Sequence, residues 1–284
     1  MAGIRVVIDS AADLPRDIAE ELDIRVIPLD VRLGSWGPDE MREIDPAEFW
    51  RRCAMTSVLP ETSAPSPGAF AECFSQAADE GCAGVVCLTI SSELSSTYQA
   101  ACAGAEATRE RIDVRVVDTL SLTLGQAMVA LEAVRAANST NSLDAAESAA
   151  RKAIPTIHVL AALDTLENAR KGGRVGTAKT LMSSLLQIKP IIDFRRGLAV
   201  VESRQRTRAG SLQYLVDQLK DAGKLKALGV VHAAAPDLEM FLDTLADIYP
   251  RDQILTSYIG PVTGAHAGPR CIAVCYQLAE TAGG

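Results

Sequence analysis

Histidine occurs only three times in the 284 residues, at positions 158, 232 and 266, and aromatic side chains make up 4% of the chain. So few imidazoles argue against a histidine-rich metal centre. So few rings leave little for nucleic-acid bases to stack on. The seven cysteines (Cys53, Cys73, Cys82, Cys87, Cys102, Cys271 and Cys275) are odd in number and form no C-x-x-C pair. That pattern speaks against a disulfide framework and a zinc site, and for a reducing, cytoplasmic setting. No apolar run approaches the length of a membrane span, and strand-like sequence begins at once, without a signal-peptide pattern. Also missing are G-x-x-x-x-G-K-[ST], a G-x-G-x-x-G after the first strand, and G-x-S-x-G, so no known motif for ATP, a dinucleotide or a hydrolase nucleophile is present. Positive charge is in deficit too. The formal net charge is −8 and the pI about 5.0, which argues against a binder of nucleic acid or anionic membrane.

What remains is ordinary for a folded α/β protein, with 48% hydrophobic and 23% charged residues. Short β-branched runs at Ile4–Ile8, Val85–Ile90 and Val114–Val117 alternate with helix-forming segments, which predicts a mostly parallel sheet with helices on both faces. Asp45-Pro46-Ala47-Glu48 has the spacing of a helix start, as has Ser66-Pro67 after the proline- and hydroxyl-rich loop 60–68. Periodicity breaks at Asn138–Asn141 and near Pro155. This predicts one domain over 1–154 and a second over 155–284. In the second, Ile188–Phe194 and Leu198–Ser203 form a hairpin around Arg195-Arg196-Gly197, so its sheet is mixed. Gly260–Pro269 reads as a glycine-rich loop before the last strand.

Three polar stretches could carry chemistry. The first is Ser91-Ser92-Glu93-Leu94-Ser95-Ser96, between a buried strand and the alanine-rich helix from Thr97. A strand feeding a helix through such a turn leaves free N–H groups and a positive dipole end for a small anion. The same serines also read as a well-capped helix start, although one hydroxyl suffices for that. The second is Thr62-Ser63, and the third is His266 among glycines that allow close approach of the backbone. Hydroxyls, one imidazole and a helix N-terminus can hold a carboxylate without lysine or arginine. The same residue types would also fit a serine hydrolase acting on acyl esters, with Ser95 or Ser96, His266, and Asp9 or Asp118 as the orienting acid.

In their shared order, motifs over nearly the whole chain resemble the DegV family, bacterial fatty-acid-binding proteins that serve as carrier subunits of fatty acid kinase. The opening Val6-Val7-Ile8-Asp9-Ser10 is similar to the family's strand-Asp-Ser start, with Ile27-Pro28-Leu29 after it. Thr62-Ser63-Ala64-Pro65 resembles T-S-Q-P, and Ser91 to Gln99 resembles S-S-x-L-S-G-T-Y-Q. Val117-Asp118-Thr119, Arg170-Lys171-Gly172-Gly173-Arg174-Val175, Ile188-Lys189-Pro190-Ile191 and Arg206-Thr207 follow, and Gly264 to Pro269 resembles G-x-H-x-G-P-G. Ala64, Ser96 and Arg270 depart from the pattern, each at a motif position held by glutamine or glycine.

The resemblance implies a DegV-like two-domain α/β fold in which loop 60–68 reaches an inter-domain site. It implies a long-chain fatty acid as the ligand, its carboxylate held by Thr62, Ser63, Ser95, Ser96 and His266. A separate ATP-binding kinase subunit would convert the bound acid to an acyl phosphate for phospholipid metabolism. Arg174 and Arg206 match positions that dock this partner. The chain would then be a monomeric, cytoplasmic lipid carrier, in transient contact with membranes at most, with no cofactor and no catalysis of its own. A lipid-responsive regulator working without a kinase fits the same sequence.

Overall fold

The computed structural model describes residues 3–42, 44–174 and 188–279. The chain divides into two compact units. Unit 1 comprises residues 1–30 and 62–155, and unit 2 comprises residues 31–61 and 156–284.

Unit 1 is built on four parallel strands in the order β2-β1-β5-β6: β1 (Ile4–Asp9), β2 (Ile24–Ile27), β5 (Gly84–Thr89) and β6 (Val114–Asp118). All six residues of β5 are buried, as a strand covered on both faces must be. On one face Val7, Val85 and Cys87 pack against Phe70 and Phe74 of α4 (Pro67–Asp79) and Ala100 and Ala101 of α5 (Thr97–Thr108). The alternate residues Val6, Val86 and Leu88 are equally buried. The sheet is also contacted by α6 (Thr123–Thr140) and α7 (Leu143–Ala153). Helix starts follow local chemistry: Ser66 accepts from the N–H of Ala69, and Ser142 from that of Ala145.

Unit 2 carries a mixed sheet of six strands in the order β11-β10-β12-β7-β8-β9. These are β7 (Ile157–Ala162), β8 (Lys189–Arg195), β9 (Leu198–Gln205), β10 (Leu225–His232), β11 (Leu255–Tyr258) and β12 (Ile272–Leu278). Only the β10–β11 pair is parallel. The β8–β9 hairpin turns at Arg196 and Gly197, both with positive φ. Leu212, Leu215 and Leu219 of α9 (Arg208–Asp221) and Phe241 and Leu245 of α10 (Leu238–Leu245) bury the sheet's apolar residues Leu228, Val230, Ile272 and Val274.

Two sequence expectations need correction. A contiguous first domain over 1–154 does not form, because residues 31–61 belong to unit 2. The reason lies in α3 (Pro46–Ala54): its Trp50 indole N–H donates to the Ile259 carbonyl at 2.8 Å. The same ring lies where a side chain on Gly264 would have to go, 2.7 Å from an added Cβ. The stretch expected to be a loop over 260–269 is instead mostly α11 (Pro261–Ala267). Pro261 occupies the first helical position and Gly268, at φ +76, ends it. Gly264 serves close packing on Trp50, so its presence does not signal a loop.

Candidate functional site

In unit 1 the strand order reverses between β1 and β5, one leading to β2 and the other to β6. The carboxyl ends of such strands form the crevice where α/β sheets bind ligands. Three loops meet at this edge. β1 ends on Asp9, which is fully buried and accepts from the N–H groups of Ile90 (2.7 Å) and Ala11 (3.0 Å) and from the Gln126 amide (3.0 Å). Burial outweighs these donors and pushes the Asp9 carboxyl up to about 6. β6 ends on Asp118, whose carboxylate accepts from Ser92 N–H at 3.2 Å and Leu120 N–H at 3.0 Å. The serine turn is therefore strapped by one carboxylate at Ile90, just before it, and by another at Ser92. Backbone strain accompanies this: Leu120 and Thr123 hold φ of +50° and +48°.

Within the turn the serines divide their labour. The buried Ser91 accepts at Oγ from Glu93 N–H, and its carbonyl accepts from Leu94 and Ser95. Ser95 Oγ lies 2.8 Å from Thr97 Oγ1 and also accepts from Thr97 N–H. Ser96 is exposed, stands at the N-cap of α5, and makes no capping bond with its side chain. Its φ of −76° is open to any residue, so serine in place of the motif's glycine strains nothing. Thr62 and Ser63 lie in β4 (Glu61–Ser63), the first half-buried and the second exposed.

Unit 2 contributes His266, in the last turn of α11. Its imidazole rests on Gly172, which closes α8 (Glu167–Lys171). The Asn168 amide of α8 donates to the Ala265 carbonyl at 3.2 Å and so ties the two short helices together. Burial, aided by the positive charge of Arg174, pulls the His266 pKa down to about 4. Arg174 itself is exposed and donates from Nη1 to the Gly172 carbonyl at 2.6 Å. Val175, quoted with it in the motif, lies outside the described residues. Arg206 is exposed between β9 and α9, whereas its neighbour Arg208 is committed to a two-point pair with Asp237 at 2.8 and 2.9 Å. Arg270 has φ +62, which explains why a glycine suits that motif position.

Ser95 and Ser96 thus share one turn of unit 1, Thr62 and Ser63 share a strand of the same unit, and His266 stands in unit 2 beside Arg174. Sequence reasoning missed Gln126 and Asn168. Gln126 is a fully buried polar residue in an otherwise apolar stretch of α6, and that contrast was the available signal. Asn168 had none. Among the described residues no cluster of histidine, cysteine, aspartate and glutamate side chains could hold a metal, and no helix is long and apolar enough to cross a membrane.

A four-strand parallel sheet with a hydroxyl-rich carboxyl edge, joined in one chain to a unit with a mixed six-strand sheet, defines a class of two-unit α/β proteins. The chain belongs to the DegV family, whose profile, described as an uncharacterised protein family of that name, matches residues 3–279. A DegV domain-containing protein of Streptomyces coelicolor is 34% identical over 275 residues, covering 95% of this chain and 97% of that one. Two solved structures are similar throughout. A DegV family protein from Thermus thermophilus, described as binding fatty acid, is 28% identical with a TM-score of 0.84 over 97% of this chain and 100% of that one. DegV of Bacillus subtilis, described as a fatty acid binding protein, is 26% identical with a TM-score of 0.88 over 98% and 100%.

Proposed function

We propose that this protein binds a long-chain fatty acid, its carboxylate held by Ser95, Ser96, Thr62 and Ser63 of unit 1 and by His266 of unit 2. The observation that carries the reading is the serine turn, strapped by Asp9 and Asp118 at the carboxyl edge of a parallel sheet. It presents hydroxyls and the start of α5 without a lysine or arginine. The fatty-acid-binding relatives from Thermus thermophilus and Bacillus subtilis supply the ligand class. Each buried CH₂ of the tail contributes about 0.8 kcal/mol, so the acyl chain supplies most of the affinity and the head-group residues set its orientation. The acid is then presented to a separate ATP-dependent kinase, with Arg174 and Arg206 as docking cations, since this chain has no nucleotide motif of its own.

The hydrolase reading draws no support from the geometry. Asp9 and Asp118 already accept from backbone N–H groups within unit 1, and a histidine with a pKa of about 4 is a weak base at neutral pH. Mass spectrometry of lipid extracted from the purified protein tests the proposal, with about one fatty acid per chain expected. Thr62→Ala, Ser95→Ala and His266→Ala should each weaken oleate binding about tenfold or more, the worth of a hydrogen bond to a charged group. Lipid-free protein that fails to bind added palmitate or oleate would end the proposal. Wild-type affinity in all three variants would move the head-group site elsewhere.

A further inference from the structure

The two glycine-bearing segments of unit 2 meet at a contact that neither the ligand set nor the docking arginines account for. A Cβ built on Gly172 would lie 2.1 Å from Nδ1 and 2.7 Å from Cε1 of His266. Real Cβ atoms essentially never come so close, so any side chain at 172 must displace the imidazole. Conformational freedom does not explain this glycine, because its φ of −71° and ψ of −11° suit every residue. Its neighbour differs: Gly173 has φ +69, and an added Cβ there would meet nothing within 4 Å. Residue 173 is a glycine for its backbone and residue 172 for the ring lying against it.

Neither helix can easily slide away to relieve such a clash. Asn168 of α8 bonds the Ala265 carbonyl of α11, and Gly268 packs on the Asn168 side chain, its added Cβ only 2.9 Å from Oδ1. The carbonyl of Gly172 meanwhile accepts from Arg174. One residue therefore supports the imidazole on its Cα and a guanidinium on its oxygen.

We propose that Gly172 is a positioning residue for the head-group site, its missing side chain giving His266 its place and its carbonyl tying that place to the Arg174 segment. The inference rests on the reading of His266 as a carboxylate ligand and adds what holds that ligand in position.

The test is a double-mutant cycle of Gly172→Ala and His266→Ala, read by displacement of a fluorescent fatty acid with oleate and by thermal unfolding. Gly172→Ala should weaken binding about tenfold or more, as loss of the imidazole contact would. In the His266→Ala background it should cost nothing further, and any fall in melting temperature should be recovered, because the ring it collides with is gone. NMR of the ligand-free protein gives a second readout, since only three histidines are present and the His266→Ala spectrum identifies the third. In Gly172→Ala the His266 ring resonances should shift and their titration midpoint should rise from about 4, as the ring leaves its buried place. Equal losses from Gly172→Ala in both backgrounds, or an unmoved His266 resonance, would overturn the proposal. If His266→Ala binds oleate as wild type does, the head-group assignment fails, and the NMR arm still decides the role of Gly172.

Discussion

At neutral pH the imidazole of His266 is uncharged, so under the proposed function it would meet a carboxylate by a hydrogen bond rather than an ion pair. Its folded-state pKa of about 4 lies below the usual value of about 6.5. As pH falls from about 6.5 to 4 the unfolded chain takes up this proton first, and stability from this residue is lost in that window. Asp9 acts with the opposite sign. Its folded-state pKa of about 6 exceeds the ordinary value of about 3.9, so the folded state keeps a proton that the unfolded state has released. Stability from Asp9 therefore declines as pH rises from about 4 to 6. The two residues offset each other across most of that range. Urea unfolding of wild type and His266→Ala should show a stability difference that shifts in favour of wild type between pH 4 and 6.5 and levels off above; a difference independent of pH would contradict the half-buried, neutral imidazole. Asp9→Ala should cost about 3 kcal/mol or more, because Ile90 and Ala11 N–H and the Gln126 amide lose their acceptor together. Urea midpoints measure that directly, and a loss under about 1 kcal/mol would mean that water replaces the carboxylate.

Among the elements, α4 and α5 set how the serine turn leaves the sheet. Their approach depends on Gly104, where an added Cβ would meet Phe70 Cβ at 2.6 Å and the Pro67 carbonyl at 2.9 Å. Gly104→Ala should therefore destabilise by about 1–3 kcal/mol through overpacking, although alanine is the better helix former by about 1 kcal/mol. Gly37→Ala, at an N-cap with nothing within 4 Å of the added Cβ, should cost only a few tenths to 1 kcal/mol. Thermal unfolding of the two variants checks the contrast, and a Gly104→Ala protein as stable as wild type would mean that the helices can part freely. The α5 start itself was readable in advance, because four serines after an apolar run leave few other structures. The helix bearing His266 was not. Its glycines carry the pattern of a loop, and only the packing of Gly264 on Trp50 shows why a helix needs one there.

For the molecule as a whole, discontinuity of unit 2 is the feature with most consequence. A fragment of residues 156–284 lacks α3, leaving the Ile259 carbonyl without the Trp50 indole and baring the surface at Gly264. Such a fragment should be less stable than the same unit with residues 31–61 restored by a linker, as read by NMR dispersion and binding of a hydrophobic dye. Equal stability would make residues 31–61 an ornament of the unit. On a chain of net charge −8, exposed arginines at a docking surface act mainly on encounter. Arg174→Ala and Arg206→Ala should retain fatty acid at neutral pH, where His266 stays uncharged, yet fail to support acyl phosphate formation with a cognate kinase and ATP. Lost lipid in either variant would place that arginine in the binding site, and normal turnover would return it to the solvated surface.

What the chain alone determined was the alternation of buried strands and helices, the mixed second sheet with its hairpin, and the motifs that mark the family. These depend on local periodicity, capping and turn chemistry, which neighbouring residues dictate. Tertiary structure alone decided that residues 31–61 join unit 2, that Gln126 holds Asp9, and that Gly172 makes room for His266. Each depends on contacts between residues distant in sequence: Trp50 with Ile259, Gln126 with Asp9, His266 with Gly172. A glycine, a glutamine or a tryptophan has the same local signature whichever distant partner it meets, and only packing selects the partner.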